Sequence, residues 1–448
     1  MGLTVEPSSA GNPGIYKDPV ELCRNLIRYD TSNPPGNEAD CISYISSLLA
    51  GAGFETTLVG KSPERPNLIT RLRGKGNAPS LLMYGHVDVV TAANQKWSHP
   101  PFEAKLVDGF IWGRGALDMK SGVAMMLAAI LRAKAEGLTA RGDVVLAVVS
   151  DEEGGGEFGA KYLVENYPQE FSGVRYAIGE FGGYTAYVEG RKFYPIQIAE
   201  KQICWVKATV RGPGGHGARP MRGGAMAKAA ELLRRLDRSR LPVHITPVTR
   251  QLVETFAASL PFPKGLIFRQ LLKPYLTDRI LNLLGSFSQN LDPLLHNTVN
   301  ATIIQGGDKV NVIPSAVSIA LDGRLLPGYT PDDLKSELRR RIGKEVELEV
   351  VEHEPCPAET DFGLFETLAG ILQETDPGAV PMPFLLPAST DARIFAKLGI
   401  QSYGFIPMKL PRGFNFFETI HAADERIPTE AVIFGTDAIY ELLKRYHG

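Results

Sequence analysis

The run Leu81-Leu-Met-Tyr84 is apolar without interruption, too short for a useful helix, and closed by Gly85, so it reads as a strand buried on both faces. Val144 to Val149 has the same character, and Val174 to Ile178 shares it apart from Arg175. Helical stretches lie before and between them: residues 15–30, Glu38 to Ala50, and Gly122 to Glu136. The last contains Val123-Ala-Met-Met-Leu-Ala-Ala-Ile-Leu131, a buried core helix too short to span a membrane. Helices alternating with fully apolar strands predict an α/β domain whose helices cover a mostly parallel sheet. Ligands of such sheets sit beyond the carboxyl ends of the strands. Here His86 follows the first strand, Glu152 and Glu153 follow the second, and Glu180 follows the third.

The pattern changes near residue 199. Gln202 to Val210, Thr298 to Ile304, Val312 to Leu321 and Val346 to Val351 read as strands, and Gly224 to Leu236 and Thr330 to Ile342 as helices. Their order is βαββαβ, a ferredoxin-like α+β unit inserted into the α/β domain. The expected division is therefore 1–198 (α/β domain, first part), 199–356 (inserted ferredoxin-like domain) and 357–448 (α/β domain, second part). Leu241 to His296, apolar but broken by prolines, is expected to form short helices that serve packing, with cover of a substrate path or a subunit contact as the alternative. After it the α/β pattern resumes, with Ser402 to Ile406 as a strand and a final amphipathic helix capped by Thr429.

A net charge of -2 with dispersed Lys and Arg gives no nucleic-acid footprint. The four cysteines, Cys23, Cys41, Cys204 and Cys356, form no CxxC and read as free thiols of a reducing compartment. Met1 to Gly14 has no basic-then-apolar signal, and Glu6 stands where an acylation motif wants Ser or Thr. No membrane span is expected, and the cytoplasm is the expected location.

His86 and Asp88 lie two apart, so an extended backbone points both to one side. A carboxylate there takes the imidazole's spare N–H, as in a metal ligand with its supporting partner or in an ordinary strand-end hydrogen bond. Further ligand-type residues decide between these: Asp118 after Gly113-Arg-Gly115, then Glu153, Glu180 and His421. Nitrogen and carboxylate donors without sulfur suit Zn, Mn or Co in a catalytic site. Three carboxylates and two histidines suit two divalent ions roughly 3.5–4 Å apart, with Asp118 as the bridge.

His86-x-Asp88, Gly113-Arg-Gly-Ala-Leu-Asp118-Met-Lys, Asp151-Glu-Glu153, Gly214-Gly-His216-Gly and the late His421 together resemble the di-metal amidohydrolases of the M20 peptidase family. That family includes succinyl-diaminopimelate desuccinylase, acetylornithine deacetylase, aminoacylase and Gly-X carboxypeptidases. The resemblance implies two metal ions, zinc ahead of cobalt or manganese, with His86 and Glu180 on one, Glu153 and His421 on the other, and Asp118 between. It implies that Asp88 orients His86 and that Glu152 is the general base on a metal-bound water. The substrate would be an N-acyl amino acid or small peptide, cleaved at its amide to release an amino acid. A homodimer formed through the inserted domain, a lid on the catalytic α/β domain, would bring His216 to the partner's site as the oxyanion donor. Arg324 would clamp the substrate carboxylate, Asn300 would polarise the carbonyl, and Ser389 and Thr390 would line the catalytic side.

Two other functions compete. Gly212, Gly214 and Gly217 imitate a dinucleotide fingerprint with Asp237 twenty residues on, as in a nucleotide-dependent oxidoreductase. Pro213 stiffens that turn, and Asp237 lies in a helical run instead of after a second strand. The other is a non-catalytic binding protein on the same fold, which the complete ligand set with Glu152 opposes. The family hints conflict on the acyl group. Glu180 leans toward the deacylases, whereas Trp97 to Phe102 and the Leu241–His296 segment resemble the carboxypeptidase and fatty-acyl-amino-acid hydrolase branch.

Overall fold

The computed structural model describes residues 11–448, so the N-terminal leader reading on Met1 to Ala10 lies outside the described residues. The chain forms two compact units. One comprises the residues up to Ile198, Asp361–Phe384 and Thr390–Gly448, and the other Ala199–Thr360 with Leu385–Ser389.

The first unit is built on a nine-stranded sheet. Across it run Ala186–Val188, Arg191–Glu200, Gln401–Gly404, Val174–Gly179, Ser80–His86, Val144–Val149, Pro66–Leu72 and Thr56–Gly60, with Val380–Leu386 branching from Arg191–Glu200. The sheet is mixed, which corrects the mostly parallel expectation. Its four central strands are mutually parallel, whereas both flanks pair antiparallel. Short connections explain part of this. Ala186–Val188 turns back into Arg191–Glu200 through two residues, and such a link can only join antiparallel strands. Arg191–Glu200 carries Pro195 in mid-strand, and so lacks the donor a regular ladder position needs.

The fully apolar strand Val144–Val149 is buried at every position. The helix Lys120–Ala135 is apolar nearly all round because other helices cover it, including Thr429–Arg445. That approach is close. A side chain on Gly435 would meet Met125 Sδ at 2.3 Å. Thr429 is the first residue of the final helix and not its cap, since Pro428 holds the cap position. Among the described residues no helix is long and apolar enough to cross a membrane.

The second unit contains a four-stranded antiparallel sheet in the order Thr298–Gln305, Ala316–Leu325, Gln202–Arg211, Glu347–Glu354. Ala225–Arg238 and Pro331–Ile342 cover one face, where Val317, Ile319 and Leu321 meet Ala229, Leu232, Leu334 and Leu338. The expected strand Val312–Leu321 is divided at Pro314. Val312–Ile313 pairs with Gly215–His216, and Ala316–Leu325 enters the sheet. The Leu241–His296 stretch forms Pro247–Ser259, Lys264–Arg269, Pro274–Leu283 and Ser288–Leu295, with Pro247 and Pro274 at helix starts where a missing N–H costs nothing. Gly212 is followed by a loop and a short antiparallel strand, and the next helix opens only at Ala225. Although Gly212 lies against that helix start, Gly214 and Gly217 pack against residues 311–315, so the three glycines do not form the strand-to-helix turn that a dinucleotide site requires.

Candidate metal centre

Ser80–His86 lies between Val144–Val149 and Val174–Gly179, parallel to both, with His86 level with Val149. The chain therefore leaves these three strands along one edge of the sheet, and His86, Glu152, Glu153 and Glu180 arrive side by side. Three non-glycine residues at this edge have left-handed backbone: Asp151 (φ 66°), Phe181 (φ 61°) and His421 (φ 58°). Each is, or adjoins, a ligand-type residue, and such conformations persist where surrounding contacts over-determine them.

His86 is buried, and its Nδ1 lies 2.9 Å from the Asp88 carbonyl oxygen and 3.4 Å from Asp88 Oδ1. A carbonyl only accepts, so Nδ1 carries a proton and Nε2 is the nitrogen free to take a metal once its own proton is displaced. Nε2 faces Asp118 Oδ1 at 3.1 Å and Glu180 Oε2 at 3.2 Å. A second cluster adjoins it, with His421 Nε2 3.0 Å from Glu153 Oε1 and 3.1 Å from Asp118 Oδ2. In each cluster the three donor atoms lie within 4.8 Å of one another, and Asp118 contributes one oxygen to each.

The electrostatics identify what this arrangement lacks. Burial pushes the Glu180 carboxyl up to about 8, even against His86, and its Oε1 has no hydrogen-bond partner among the described residues. Burial, then the charge of Glu180, raises Glu152 well above the usual carboxylate range. Burial would depress His86, but bonds to Asp118, Asp88 and Glu180 carry it well above its ordinary value. Hydrogen bonds to Asp118 and Glu153 lift His421 to about 10. Crowded carboxylates that hold protons on themselves and on both imidazoles create strong negative potential at two points, which two divalent cations fit.

Surrounding residues fix the ligands. The Asp88 carboxylate takes the backbone N–H groups of Glu152 and Glu153 and the Asn33 amide. Glu425, fully buried, accepts the N–H groups of Gly115, Leu117 and Asp118 and pairs with Arg114 at 2.7 Å. Arg65 joins Glu38 to Asp151 at 2.7 and 2.9 Å. Asp391 is buried with neither carboxylate oxygen bonded to any of the described residues, and desolvation raises it to about 6. No local motif marks Asn33, Arg65, Glu38 or Glu425. Asp391 lies inside a stretch read for its neighbours.

Those neighbours are Ser389, half-buried, and Thr390, buried, whose Oγ1 accepts the Ala392 N–H. The helix after them, Ala392–Phe395, is only four residues long. The other expected substrate residues stand in the second unit. His216 is exposed, and its Nδ1 accepts the Ala218 N–H at 3.1 Å. Arg324 holds Asp322 in two bonds of 2.8 and 3.2 Å, and exposed Asn300 lies opposite Asp322 on the adjoining strand.

Residues 82–445 match the model of peptidase family M20/M25/M40. The chain belongs to this family. It is 26% identical over 447 residues to aminoacylase-1 of Sus scrofa, covering 97% of each chain. It is 29% identical over 379 residues to a probable carboxypeptidase S-like protein of Dictyostelium discoideum, covering 81% of this chain and 71% of that one. An M20 family metallo-carboxypeptidase from Sulfolobus solfataricus shares the fold, with TM-score 0.66 at 16% identity over 95% of this chain and 98% of that one. This M20 chain is accordingly a metallo-amidohydrolase.

Proposed function

We propose that this M20 enzyme hydrolyses the amide bond of an N-acyl amino acid or small peptide, releasing the amino acid. The observation that carries this reading is the shared Asp118, one oxygen in each of two clusters of three donor atoms. In the proposal His86, Asp118 and Glu180 hold one divalent ion, and Glu153, His421 and Asp118 the other, with zinc ahead of cobalt or manganese. When bound, the ions supply Lewis acidity that polarises the scissile carbonyl and acidifies water.

The remaining steps belong to side chains. Glu152 takes a proton from the attacking water, whose oxygen bonds to the carbonyl carbon. Glu152 then delivers that proton to the amine as the C–N bond breaks. Burial and the charge of Glu180 raise this carboxyl above the usual range, which makes it a better proton acceptor than an ordinary carboxylate. Asp88 keeps Glu152 in place through its backbone and accepts His86. Arg324 clamps the substrate carboxylate, and Asn300, Ser389 and Thr390 complete the surroundings of the substrate. His216 of the partner subunit steadies the oxyanion in a homodimer formed through the second unit, 199–356 of the 1–198, 199–356, 357–448 division. A cytoplasmic setting fits the buried free thiols of Cys23, Cys41 and Cys204.

The test is hydrolysis of an N-acetyl-amino-acid and dipeptide panel by zinc- or cobalt-loaded protein, beside Glu152→Ala. Turnover in the wild type, with a loss of about 10²–10⁴-fold in the variant at unchanged metal content, is expected. No hydrolysis of any panel member would overturn the proposal.

A further inference from the structure

Three of the most exposed large apolar side chains among the described residues stand close together in the sequence. Phe262 is 84% exposed, Tyr275 74% and Leu283 73%, with Leu266 and Ile267 exposed between them. All belong to the second unit. Prolines 261, 263 and 274 cut this stretch into two short helices, Lys264–Arg269 and Pro274–Leu283. Each helix buries one side. Phe268 packs on Phe256 with ring centroids 4.7 Å apart, and Gly265 lies so close to the Ala257 carbonyl that a Cβ would meet it at 2.3 Å. On the longer helix Thr277 and Leu281, four apart, point inward. The opposite side carries Tyr275, Arg279 and Leu283, again four apart, so two projecting apolar side chains flank a cation on one face.

The charge in this stretch has one sign left over. Arg269, Lys273 and Arg279 are exposed, and none of them meets a carboxylate among the described residues. Asp278 is the single acid between positions 262 and 287. It is engaged elsewhere, with Oδ1 3.2 Å from His296 Nε2 and 3.8 Å from Arg240 Nη1. Other exposed arginines of this unit are paired, as Arg211 is with Glu347 and Arg234 with Glu231. Projecting apolar side chains and unpaired cations therefore alternate along positions 262–283.

We propose that this segment docks the second unit onto an anionic phospholipid surface. Phe262, Leu266, Tyr275 and Leu283 would enter the boundary between headgroups and acyl chains, while Arg269, Lys273 and Arg279 meet lipid phosphates at its edge. Contiguous exposed apolar surface marks a site of protein or membrane contact. Here the degree of projection favours the membrane. Side chains exposed over most of their surface do not line a hollow, and a protein partner would need a matching hollow for each of them. Fluid lipid accepts projecting groups without that match. The two helices lie at the surface and are too short to cross a bilayer, so the contact is peripheral.

The experiment sediments the full chain with vesicles of phosphatidylcholine alone and of an equal mixture with phosphatidylglycerol. The proteins are the wild type, the apolar variant Phe262→Ser/Tyr275→Ser/Leu283→Ser, and the cation variant Arg269→Gln/Lys273→Gln/Arg279→Gln. We expect the wild type to bind the mixed vesicles more tightly than phosphatidylcholine alone, and less as salt is raised. The cation variant should lose about a hundredfold in partitioning to mixed vesicles, about fivefold for each charge removed. The apolar variant should lose tenfold or more. Melting temperatures near the wild-type value establish that the variants fold. If a triple variant melts early, Leu283→Ser and Arg279→Gln singly replace it, with losses of about fivefold each expected. A wild type that leaves the mixed vesicles unbound would overturn the proposal, as would variants that bind like it. So would a lipid-free dimer that the apolar variant dissociates, since the face would then be a subunit contact.

Discussion

Asp88 Oδ1 accepts the backbone N–H of Glu152 at 3.1 Å, tying the loop after one central strand to the loop after its parallel neighbour. The other oxygen takes the Glu153 N–H, also at 3.1 Å. Asp88 thus positions the Glu152–Glu153 backbone as well as supporting His86. Asp88→Asn puts an amide where one of two acceptors stood and leaves a buried N–H unpaired, at about 1–3 kcal/mol. A base displaced by even 1 Å loses about 10²-fold. The expected result is a kcat lowered by about that factor with metal content intact, read by steady-state kinetics and elemental analysis. Normal kcat in Asp88→Asn would remove the positioning role.

Asp118 divides its oxygens between the clusters, whereas His421 serves one of them. Metal content per chain should therefore be about two in the wild type, about one in His421→Ala, and near zero in Asp118→Ala. A matching stability signal is expected. After chelation, adding zinc back should raise the melting temperature, since a ligand at a hundred times its Kd stabilises by about 2.7 kcal/mol. Equal metal content in all three proteins would show that these clusters are not the binding sites.

The ligand-type side chains were legible because each follows an apolar run or sits in a dense local motif. Parallel central strands then bring those points to one edge, as His86 beside Val149 illustrates. Three kinds of feature were not legible. Strand direction at the sheet flanks depends on connection length and neighbour choice, which apolar runs do not encode. The Val312–Leu321 pattern hid a break that Pro314 imposes on the backbone. The residues that hold the loops are joined across long separations, as Glu425 is to Asp118 over 307 positions. No periodicity marks a carboxylate whose partners are backbone N–H groups that far away.

Arg114 and Glu425 form such a pair, 1% and 0% exposed and 2.7 Å apart. Arg114→Met leaves a buried carboxylate without its cation, a loss of about 3–5 kcal/mol. The double variant Arg114→Met/Glu425→Gln removes the charge as well, so it should recover part of that loss and show coupling between the sites. Urea unfolding of both single variants and the double variant measures it. Strict additivity would mean that the pair contributes nothing beyond its separate members.

Lys201 sets a pH dependence within the second unit. Its ammonium is buried and donates to the His296 carbonyl and Thr298 Oγ1, both at 2.9 Å. Burial, and then the charge of Arg324, lowers it from 10.5 to about 7. Between those values the unfolded chain holds a proton that the folded chain has released, so this residue's contribution to stability rises with pH. Its full contribution is present above pH 10.5 and falls away as pH drops toward 7, with a limiting slope of about 1.4 kcal/mol per pH unit. Lys201→Met keeps the chain length in the cavity and removes the proton. Relative to the wild type, the variant should therefore gain stability as pH is lowered from 10 to 7. Urea midpoints of the two proteins at half-unit pH intervals give the difference directly. A difference independent of pH would show that Lys201 keeps an ordinary ammonium in the folded protein.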